Sequence, residues 1–548
     1  MRKVLTALAF MAAIVCHATE ADYRVVPLPQ SINSVKGEPF VLDETRQIVY
    51  QGDENMARNA RFFADYIAEK THLSLQVAAA DKKNVKGNVL LGIDSKIQEA
   101  EGYRIEVSAK GVRVMGSTPA GVFYGIQTLR KSLPLQEAKA AVTLPAALIT
   151  DAPRFGYRGM HLDCARHMFS VDFVKEYIDL LALHNMNRFH WHLTEDQGWR
   201  IEIKKYPRLA EVAAWRSGTT LSHNSDVDDG IRYGGYYTQA QIREIVKYAA
   251  DRYVEIIPEI DMPGHMLAVL AAYPELGCTG GPYEVGHFWG VYRDILCAGN
   301  PKVYEFLKDV LDEVCDLFPS EYIHIGGDEA PKMKWKECPK CQAMIQKLGI
   351  QAGEKQSKED RLQGYFAMEM QKYLAGKGRK IIGWDELLEC NVDQTAAIMS
   401  WRGAGPGAEA AAKGHDVVMS PNSHAYFDHY QTDKQWNEPL LIGGNLPIEK
   451  TYSLEPIPEG ASAETAAHIL GVQANLWTEY IGCNQLAEYQ ILPRMGALCE
   501  VQWMQPDKKN FKDFVKRVES LRLYYEFKGY TYAKHLWPEL YLKGSRGL

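Results

Sequence analysis

The 548-residue sequence predicts a (β/α)₈ barrel preceded by a small α+β domain. The chain is longer than one ordinary domain, and a barrel of about 250 to 400 residues plus a smaller domain accounts for its length. After a break at residues 151–154, eight short apolar runs alternate with helical patterns, which is the strand count of such a barrel. Polar and aromatic residues follow these runs, where the strand ends of a barrel build the active site.

The N-terminal domain is predicted over residues 22–150, where strand and helix patterns are mixed. Short strands are predicted at residues 89–92, 103–107 and 112–114, which contain β-branched and other apolar side chains. A helix is predicted to begin at 117–119 and to continue through Leu129, because proline is favoured in the first helical turn. Strands and a helix within about 130 residues indicate an α+β domain.

The barrel is predicted over residues 151–548, including a C-terminal helix at about 511–525 whose apolar residues share one face. A doubly wound sheet is the competing α/β plan, but no GxGxxG motif follows a strand. The eight runs that alternate with helical patterns occupy residues 159–163, 188–193, 255–260, 322–326, 380–384, 397–401, 416–420 and 471–476.

The first 21 residues are typical of a secretory signal peptide. A short basic start, Met1-Arg2-Lys3, precedes an apolar run at 4–15 that is too short to span a bilayer, and small residues follow it. The pattern predicts a secreted product in a bacterial periplasm, with a lipid anchor at Cys16 as the alternative. No later stretch predicts a membrane span, and the net charge of −7 disfavours nucleic acid as a partner.

The cysteines leave several interpretations open. Nine remain after Cys16, and export permits disulfides. Cys278 and Cys297 bracket a glycine-rich segment that they are able to staple. Cys338 and Cys341 form a single CxxC pair, compatible with a small disulfide, a metal half-site or a redox pair. One CxxC is a weak zinc signal, so two thiols or a local staple is the favoured interpretation, and no metal or cofactor is predicted.

Acids and aromatic rings occur together at the ends of the eight runs. A pocket for carbohydrate is predicted, because sugar rings stack their apolar faces on aromatic rings and pair their hydroxyls with charged groups. The acids and bases at these ends are Asp163, Arg166, Glu195, Asp196, Asp261, His265, Asp328, Glu329, Asp385, Glu386, Arg402, Asp428 and Glu479, and the aromatic residues are Trp384, Trp401, Tyr426 and Trp477.

A metal-dependent barrel hydrolase is an alternative, because several histidines lie in or near the early runs. An aromatic lining of the sugar-binding type is unnecessary in such a site, and several of the carboxylates would have no ligand role there. These points favour the carbohydrate pocket. The residues of the alternative site are His161, His190, His192, His265 and His324 with Asp261 and Glu329.

The segment His324-Ile325-Gly326-Gly327-Asp328-Glu329 resembles the exo-β-N-acetylhexosaminidases of glycoside hydrolase family 20. Residues 22–150 resemble the small domain that precedes such barrels. The resemblance continues in the expected order, from about 155 to about 480, through residues 163–167, 189–200, 258–265, 383–386, 401–403, 426–428 and 476–479.

The resemblance implies a retaining, substrate-assisted hydrolysis of terminal β-linked N-acetylhexosamines in glycans, in which the substrate's acetamido oxygen attacks C1. It implies that Glu329 is the general acid and base, that Asp328 holds the acetamido N–H, and that Tyr426 bonds the acetamido oxygen. His265 would connect Glu329 to Glu195, a position where the family often has Asp. The implied sugar-binding residues are Arg166, Trp384, Trp401, Asp428, Trp477 and Glu479.

Two further alternatives share this fold. One is a relative that releases disaccharides, which needs a roomier pocket. The other is a sugar-binding protein without catalytic activity, because fold does not imply function. The intact Asp328-Glu329 pair favours an enzyme, and Arg166, Asp428 and Glu479 together favour a closed site for one sugar.

Overall fold

A computed structural model describes residues 20–223 and 226–541. The predicted signal peptide lies outside the described residues, except for Glu20 and Ala21. Within the described part of the chain, every helix is too short or too polar to cross a bilayer. The described residues form two compact units: Glu20–Val25 with Pro29–Ala152, and Val26–Leu28 with the described residues from Pro153 to Tyr541.

The first unit contains a seven-stranded mixed sheet with the strand order β1-β9-β6-β7-β5-β3-β4, and β2 pairs separately with β8. Its strands are β1 (Ser31–Ser34), β2 (Phe40–Leu42), β3 (Gln47–Tyr50), β4 (Gln76–Ala79), β5 (Val89–Ile93), β6 (Tyr103–Ser108), β7 (Gly111–Gly116), β8 (Val142–Leu144) and β9 (Ala147–Asp151). Its helices are α1 (Glu54–Thr71) and α2 (Pro119–Ser132).

Both helices of this unit begin at side-chain caps. The carboxylate of Asp53 accepts hydrogen bonds from the N–H groups of Asn55 and Met56 at the start of α1. Thr118 caps α2, whose first residue is Pro119. The strands predicted near 89, 103 and 112 and the helix predicted from 117 are confirmed as β5, β6, β7 and α2, and the α+β class holds.

The second unit is built on eight parallel strands that close into a barrel in the order β10-β11-β16-β17-β18-β19-β20-β21. Each predicted run coincides with one barrel strand, so the predicted (β/α)₈ fold is confirmed. The barrel strands are β10 (Tyr157–Asp163), β11 (Arg188–His192), β16 (Glu255–Glu259), β17 (Tyr322–His324), β18 (Lys380–Trp384), β19 (Ala397–Ser400), β20 (Val417–Met419) and β21 (Ile469–Ala474). Two further pairs of short strands lie outside the barrel, β12 (Thr194–Glu195) with β13 (Gly198–Trp199) and β14 (Trp215–Arg216) with β15 (Tyr233–Gly234).

Helices occupy most connections between the barrel strands, and capping boxes start two of them, at Thr238 and at Ser357. The predicted C-terminal helix is confirmed as α16. The helices of this unit are α3 (Val171–Leu183), α4 (Gln239–Ala250), α5 (Leu267–Ala272), α6 (Pro301–Leu317), α7 (Met333–Glu337), α8 (Pro339–Lys347), α9 (Lys358–Ala375), α10 (Ala404–Ala412), α11 (Asn422–Ala425), α12 (Ile448–Ser453), α13 (Ala463–Ala467), α14 (Asn484–Ile491), α15 (Arg494–Trp503) and α16 (Phe511–Lys528).

The period-two alternation of the strands separates the barrel interior from its helical coat. On β11, Trp191 packs outward against Tyr237 and Phe318, whereas His190 packs against His324 and Trp384 in the interior. The interior therefore contains buried polar residues such as His190 beside an apolar cluster. Its apolar cluster comprises Tyr157, Ile257, Tyr322, Ile382, Trp384, Ala397, Met399 and Val418.

Candidate active site

A cavity of about 440 Å³ lies at the C-terminal ends of the barrel strands, where barrel enzymes carry their chemistry. Of the eleven residues to which the resemblance gives a catalytic or sugar-binding role, Glu195 alone is not among those that line the cavity. The ten that line the cavity are Arg166, His265, Asp328, Glu329, Trp384, Trp401, Tyr426, Asp428, Trp477 and Glu479.

The cavity wall also contains residues that the sequence reasoning did not single out. His429 and Tyr480 directly follow the predicted Asp428 and Glu479 in the sequence. The position next to a predicted site residue is the sequence feature that could have identified them. Trp289 lies in the long connection between β16 and α6, where no strand end marks it. The additional lining residues are Trp289, Gly290, Val291, Asn422, His429, Ile442, Gly443, Gly444 and Tyr480.

The two adjacent acids reach the cavity through a tight turn after β17. Gly326 and Gly327 have φ angles of +62° and +99°, in the left-handed region that favours glycine. A Cβ on Gly326 would lie 1.8 Å from Oδ1 of Asp261, which already accepts the N–H of Gly327 at 3.1 Å. Asp328 and Glu329 therefore lie beyond the strand, and both line the same cavity instead of splaying to opposite faces.

His265 lies beside both acids and connects them to a buried carboxylate pair. Its Nε2 is 3.9 Å from Oδ2 of Asp328 and 3.6 Å from Oε2 of Glu329. Its Nδ1 is 2.9 Å from Oε2 of Glu195 and 3.1 Å from Oδ2 of Asp196. The link expected from His265 to Glu195 is thus present in the geometry, and Asp196 shares it, a contact that the sequence reasoning did not identify.

The charged groups in this chain of contacts change one another's pKa values. Although burial opposes it, the charge of Glu195 and the hydrogen bonds that His265 donates to Asp196 and Glu195 raise the pKa of His265 well above its usual value. Burial likewise opposes ionisation of Glu195, but Arg166, at 2.7 Å, and His265 hold its pKa well below the usual range. A cationic imidazole therefore stands between the anionic Glu195 and the acids of the cavity.

Asp328 and Glu329 have opposite environments. The Asp328 side chain is 14% exposed, and burial together with the nearby Asp261 raises its pKa well above the usual value. The Glu329 side chain is 42% exposed, and a hydrogen bond with His265 lowers its pKa. A single proton shared by these two acids therefore favours Asp328 in the ligand-free protein.

Four aromatic side chains form one wall of the cavity. The ring centroids of Trp384 and Trp477 are 5.6 Å apart, those of Tyr426 and Trp477 are 6.3 Å apart, and Trp401 stacks on Tyr426 at 6.3 Å. Burial, with the nearby Asp428, raises the pKa of Tyr426 well above its usual value, so its hydroxyl keeps its proton. The wall is an apolar surface that has one hydroxyl donor.

Carboxylates beneath the wall fix two of these tryptophans. Nε1 of Trp384 donates to Oε1 of the buried Glu259 at 2.9 Å, and Nε1 of Trp401 donates to Oε2 of Glu386 at 3.0 Å. Because each indole is held by a directional hydrogen bond, its ring is positioned before a ligand enters.

The part of the cavity wall next to Trp477 has charged groups that suit sugar hydroxyls. The Arg166 guanidinium lies 5.1 Å from the ring of Trp477 and within 3.3 Å of Asp163. Burial raises the pKa of Asp428, and it raises that of Glu479 despite the opposing effect of Arg166. Acceptors and a bidentate donor thus occur together at this end of the cavity.

Apart from His265, the histidines of the alternative metal site do not line the cavity, and three of them face a buried carboxylate. Ring nitrogens of His192, His190 and His324 lie 2.6, 2.8 and 3.0 Å from the oxygens of Glu259. These histidines and His161 do not line the cavity. The cluster therefore supports the cavity floor through Glu259, which also accepts the Trp384 hydrogen bond.

Comparisons with known proteins give one family for both units. The profile described as glycosyl hydrolase family 20, catalytic domain, matches residues 155–506, and that of glycosyl hydrolase family 20, domain 2, matches residues 22–152. A β-hexosaminidase of Porphyromonas gingivalis is 41% identical over 517 residues. This alignment covers 93% of the chain but 64% of that relative, so the chain spans less than two thirds of its length.

Two further relatives cover most of the chain. A β-N-acetylhexosaminidase of Cellulomonas fimi is 30% identical over 526 residues, covering 95% of this chain and 97% of that protein. The crystal structure of a family 20 exo-β-N-acetylglucosaminidase of Vibrio harveyi, in complex with N-acetylglucosamine, is 30% identical with a TM-score of 0.82, covering 95% of this chain and 80% of that one. The chain therefore belongs to glycosyl hydrolase family 20 and is a glycoside hydrolase.

Proposed function

We propose that this chain is an exo-acting, retaining β-N-acetylhexosaminidase that removes terminal β-linked N-acetylglucosamine or N-acetylgalactosamine from glycans by substrate-assisted catalysis. The observation that carries the proposal is the convergence of Asp328 and Glu329 on the same nitrogen of His265. Ordinary retaining enzymes place an acid and a nucleophilic carboxylate on either side of the bond. Two adjacent acids beside one imidazole suit a reaction whose nucleophile belongs to the substrate.

In the first step, the acetamido oxygen of the substrate attacks C1 while the glycosidic C1–O bond breaks. Glu329 gives its proton to the leaving oxygen, which departs with the bonding electron pair. The resulting oxazolinium ion carries positive charge near its nitrogen, which Asp328 stabilises by accepting the N–H. Tyr426 donates its hydroxyl proton in a hydrogen bond to the acetamido oxygen and orients it toward C1.

In the second step, water attacks C1 and the bond from C1 to the acetamido oxygen breaks. Glu329, now a carboxylate, takes a proton from this water and returns to its starting form. Two successive inversions at C1 leave a product with the β configuration. Trp384, Trp401 and Trp477 stack around the sugar and its acetamido methyl group, which keeps the attacking oxygen close to C1.

The substrate also sets the protonation state. The ligand-free protein favours the shared proton on Asp328, but the first step requires it on Glu329. An acetamido N–H that donates to Asp328 favours its ionised form, and a sugar that fills the cavity desolvates the half-exposed Glu329. Binding of an N-acetyl sugar therefore moves the proton to the acid that needs it.

We further propose secretion to a bacterial periplasm, supported by the basic start and the apolar run at residues 4–15. Fractionation of expressing cells, with N-terminal analysis of the product, tests this. A full-length chain that stays in the cytoplasm would contradict it.

Hydrolysis of an aryl β-N-acetylglucosaminide beside the matching aryl β-glucoside tests the catalytic proposal. Both substrates have the same leaving group, so they differ only at C2. Rapid cleavage of the first and none of the second is expected, because the glucoside has no acetamido oxygen. Equal cleavage of both would overturn substrate assistance. Cleavage of neither would overturn the assignment as a hexosaminidase that releases single sugars and would favour the disaccharide-releasing or the non-catalytic alternative.

A further inference from the structure

Four cysteines from three separate segments of the barrel unit meet outside the catalytic cavity. Cys278 follows a short turn at Pro274–Leu276, and Cys297 lies shortly before α6. Cys338 stands between α7 and α8, and Cys341 lies in the first turn of α8. None of the four lines the cavity.

The spacing of the four sulfurs suits a tetrahedral metal ion. Sγ of Cys341 lies 3.9 Å from that of Cys278 and 3.6 Å from that of Cys297, and Cys297 lies 3.7 Å from Cys338. All four sulfurs lie within 4.8 Å of one another. A zinc–sulfur distance of about 2.3 Å sets the corners of a tetrahedron about 3.8 Å apart. A disulfide needs about 2.05 Å between two sulfurs, which none of these pairs approaches.

The surrounding backbone fixes this arrangement. The N–H of Cys297 donates to the carbonyl oxygen of Leu276 at 2.9 Å, which joins the two segments that carry Cys278 and Cys297. Nε1 of Trp335, in α7, donates to the carbonyl oxygen of Leu296 at 2.9 Å. The CxxC turn is therefore tied to the segment that carries Cys297 by a contact that involves none of the four thiols.

Gly299 allows the third segment to approach. A Cβ at this position would lie 2.2 Å from the carbonyl carbon of Lys340 and 2.3 Å from the nitrogen of Cys341. Backbone meets backbone here, so a larger residue would push the CxxC turn away from Cys297. The close packing is consistent with four side chains that share one ligand.

We propose that Cys278, Cys297, Cys338 and Cys341 bind a structural Zn²⁺ ion as thiolates. Four sulfur ligands in a tetrahedron are typical of zinc sites without an open coordination position, so the ion stabilises structure and does not act on substrate. Three of the thiols are buried and Cys278 is half-buried, which excludes most water from the site. Zinc here departs from the sequence-based expectation of no metal.

The site would fix two connections that reach the catalytic cavity. The segment between Cys278 and Cys297 contains Trp289, which lines the cavity. The CxxC turn begins nine residues after Glu329. One ion would therefore hold the base of both connections, where a single disulfide would join only two of the three segments.

Elemental analysis of the purified full-length chain tests the proposal without reference to its activity. We expect one equivalent of zinc, and after denaturation with a chelator we expect all four cysteines to react as free thiols in peptide mass mapping. Disulfide-linked peptides that join these cysteines, together with no zinc, would overturn the proposal. One equivalent of iron would overturn the choice of metal.

A ligand variant and a matched control test the location of the ion. Cys341→Ser should lose zinc, whereas Cys483→Ser, at an exposed cysteine, should keep it. Full zinc content in Cys341→Ser would contradict the assignment. If that variant fails to fold, the visible absorption spectrum of the wild-type chain with Co²⁺ exchanged for zinc is the second test. Intense absorption is expected, because tetrahedral thiolate coordination of Co²⁺ produces it. A weak octahedral spectrum would overturn the site.

Discussion

At the scale of single residues, the site separates the roles of two neighbouring acids through their environments. Burial and Asp261 favour a proton on Asp328, whereas the hydrogen bond from His265 favours the ionised form of Glu329. Pairs of acids whose environments push their pKa values apart are typical of acid–base catalysis. The half-exposed Glu329 is the acid able to reach a leaving group and then water.

Glu329→Gln should lower kcat on an aryl β-N-acetylglucosaminide by at least about 100-fold, because Gln cannot donate or accept the catalytic proton. Glu337→Gln is the matched control, since that acid is exposed at the end of α7, eight residues further along the chain. The control should keep wild-type kcat. Turnover near that of the wild type in Glu329→Gln would remove this residue from the acid–base role.

Asp328→Asn should move the alkaline limb of the kcat/KM profile to lower pH. This profile reports the free enzyme, in which the active form has one proton shared by the two acids. Because burial raises the pKa of Asp328, the wild-type pair keeps this proton to a higher pH than an ordinary carboxyl does. In the variant, Glu329 alone holds the proton, and the His265 hydrogen bond lowers its pKa. A limb that stays in place or moves to higher pH would contradict the shared-proton description.

At the scale of structural elements, the turn after β17 brings both acids to the cavity. Gly326 and Gly327 adopt left-handed backbone conformations, and Glu329 has a φ of +46°. Asp261 fills the space that a side chain on Gly326 would need. The turn therefore depends on one glycine for two independent reasons, its backbone conformation and its lack of a side chain.

Gly326→Ala should both destabilise the protein and lower kcat. Gly378→Ala is a matched control, because Gly378 has a similar φ of +72° but open space around its Cβ position. The control should lose about 1 to 2 kcal/mol from backbone strain, and Gly326→Ala should lose about 1 to 3 kcal/mol more from overpacking. Thermal unfolding and kcat measure both effects. If both variants lost the same stability and kept wild-type kcat, the methyl group on residue 326 would not disturb Asp261 or the turn, and the prediction would be wrong.

The barrel elements could be predicted from the sequence because their strands are buried on both faces, so most of them contain short apolar runs such as Ile381-Ile382 and Val417-Val418. The short strands of the N-terminal sheet, such as Ser31–Ser34 and Gln76–Ala79, lack such runs and were not identified. The helix Glu54–Thr71 was also not predicted, although Asp53 caps it. Contacts between distant segments, such as Cys278 with Cys341, follow only from the folded chain.

At the scale of the whole molecule, long connections of the barrel unit surround one end of the cavity. Trp289 comes from the connection between β16 and α6, Gly443 from that between β20 and β21, and Tyr480 from the segment after β21. Trp289 and Gly443 are far in sequence from any strand end, so sequence patterns could identify the strand-end residues of the site but not these two parts of its wall. A cavity of about 440 Å³ with Arg166 and Asp428 in its wall suits one sugar ring.

A cavity whose volume suits one sugar ring predicts release of single residues from the non-reducing end. A β-linked N-acetylglucosamine oligomer, labelled at its reducing end, should give a time course of labelled products that shorten by one sugar at a time, with free monosaccharide as the other product. Glu479→Gln should raise KM, because the amide replaces a carboxylate acceptor for hydroxyls, while the product pattern stays the same. Release of disaccharide would mean that the cavity accepts two sugars and would contradict the one-sugar site. Internal cleavage, which gives labelled products of intermediate length first, would mean that the cavity accepts longer chain on both sides of the bond and would contradict exo-action.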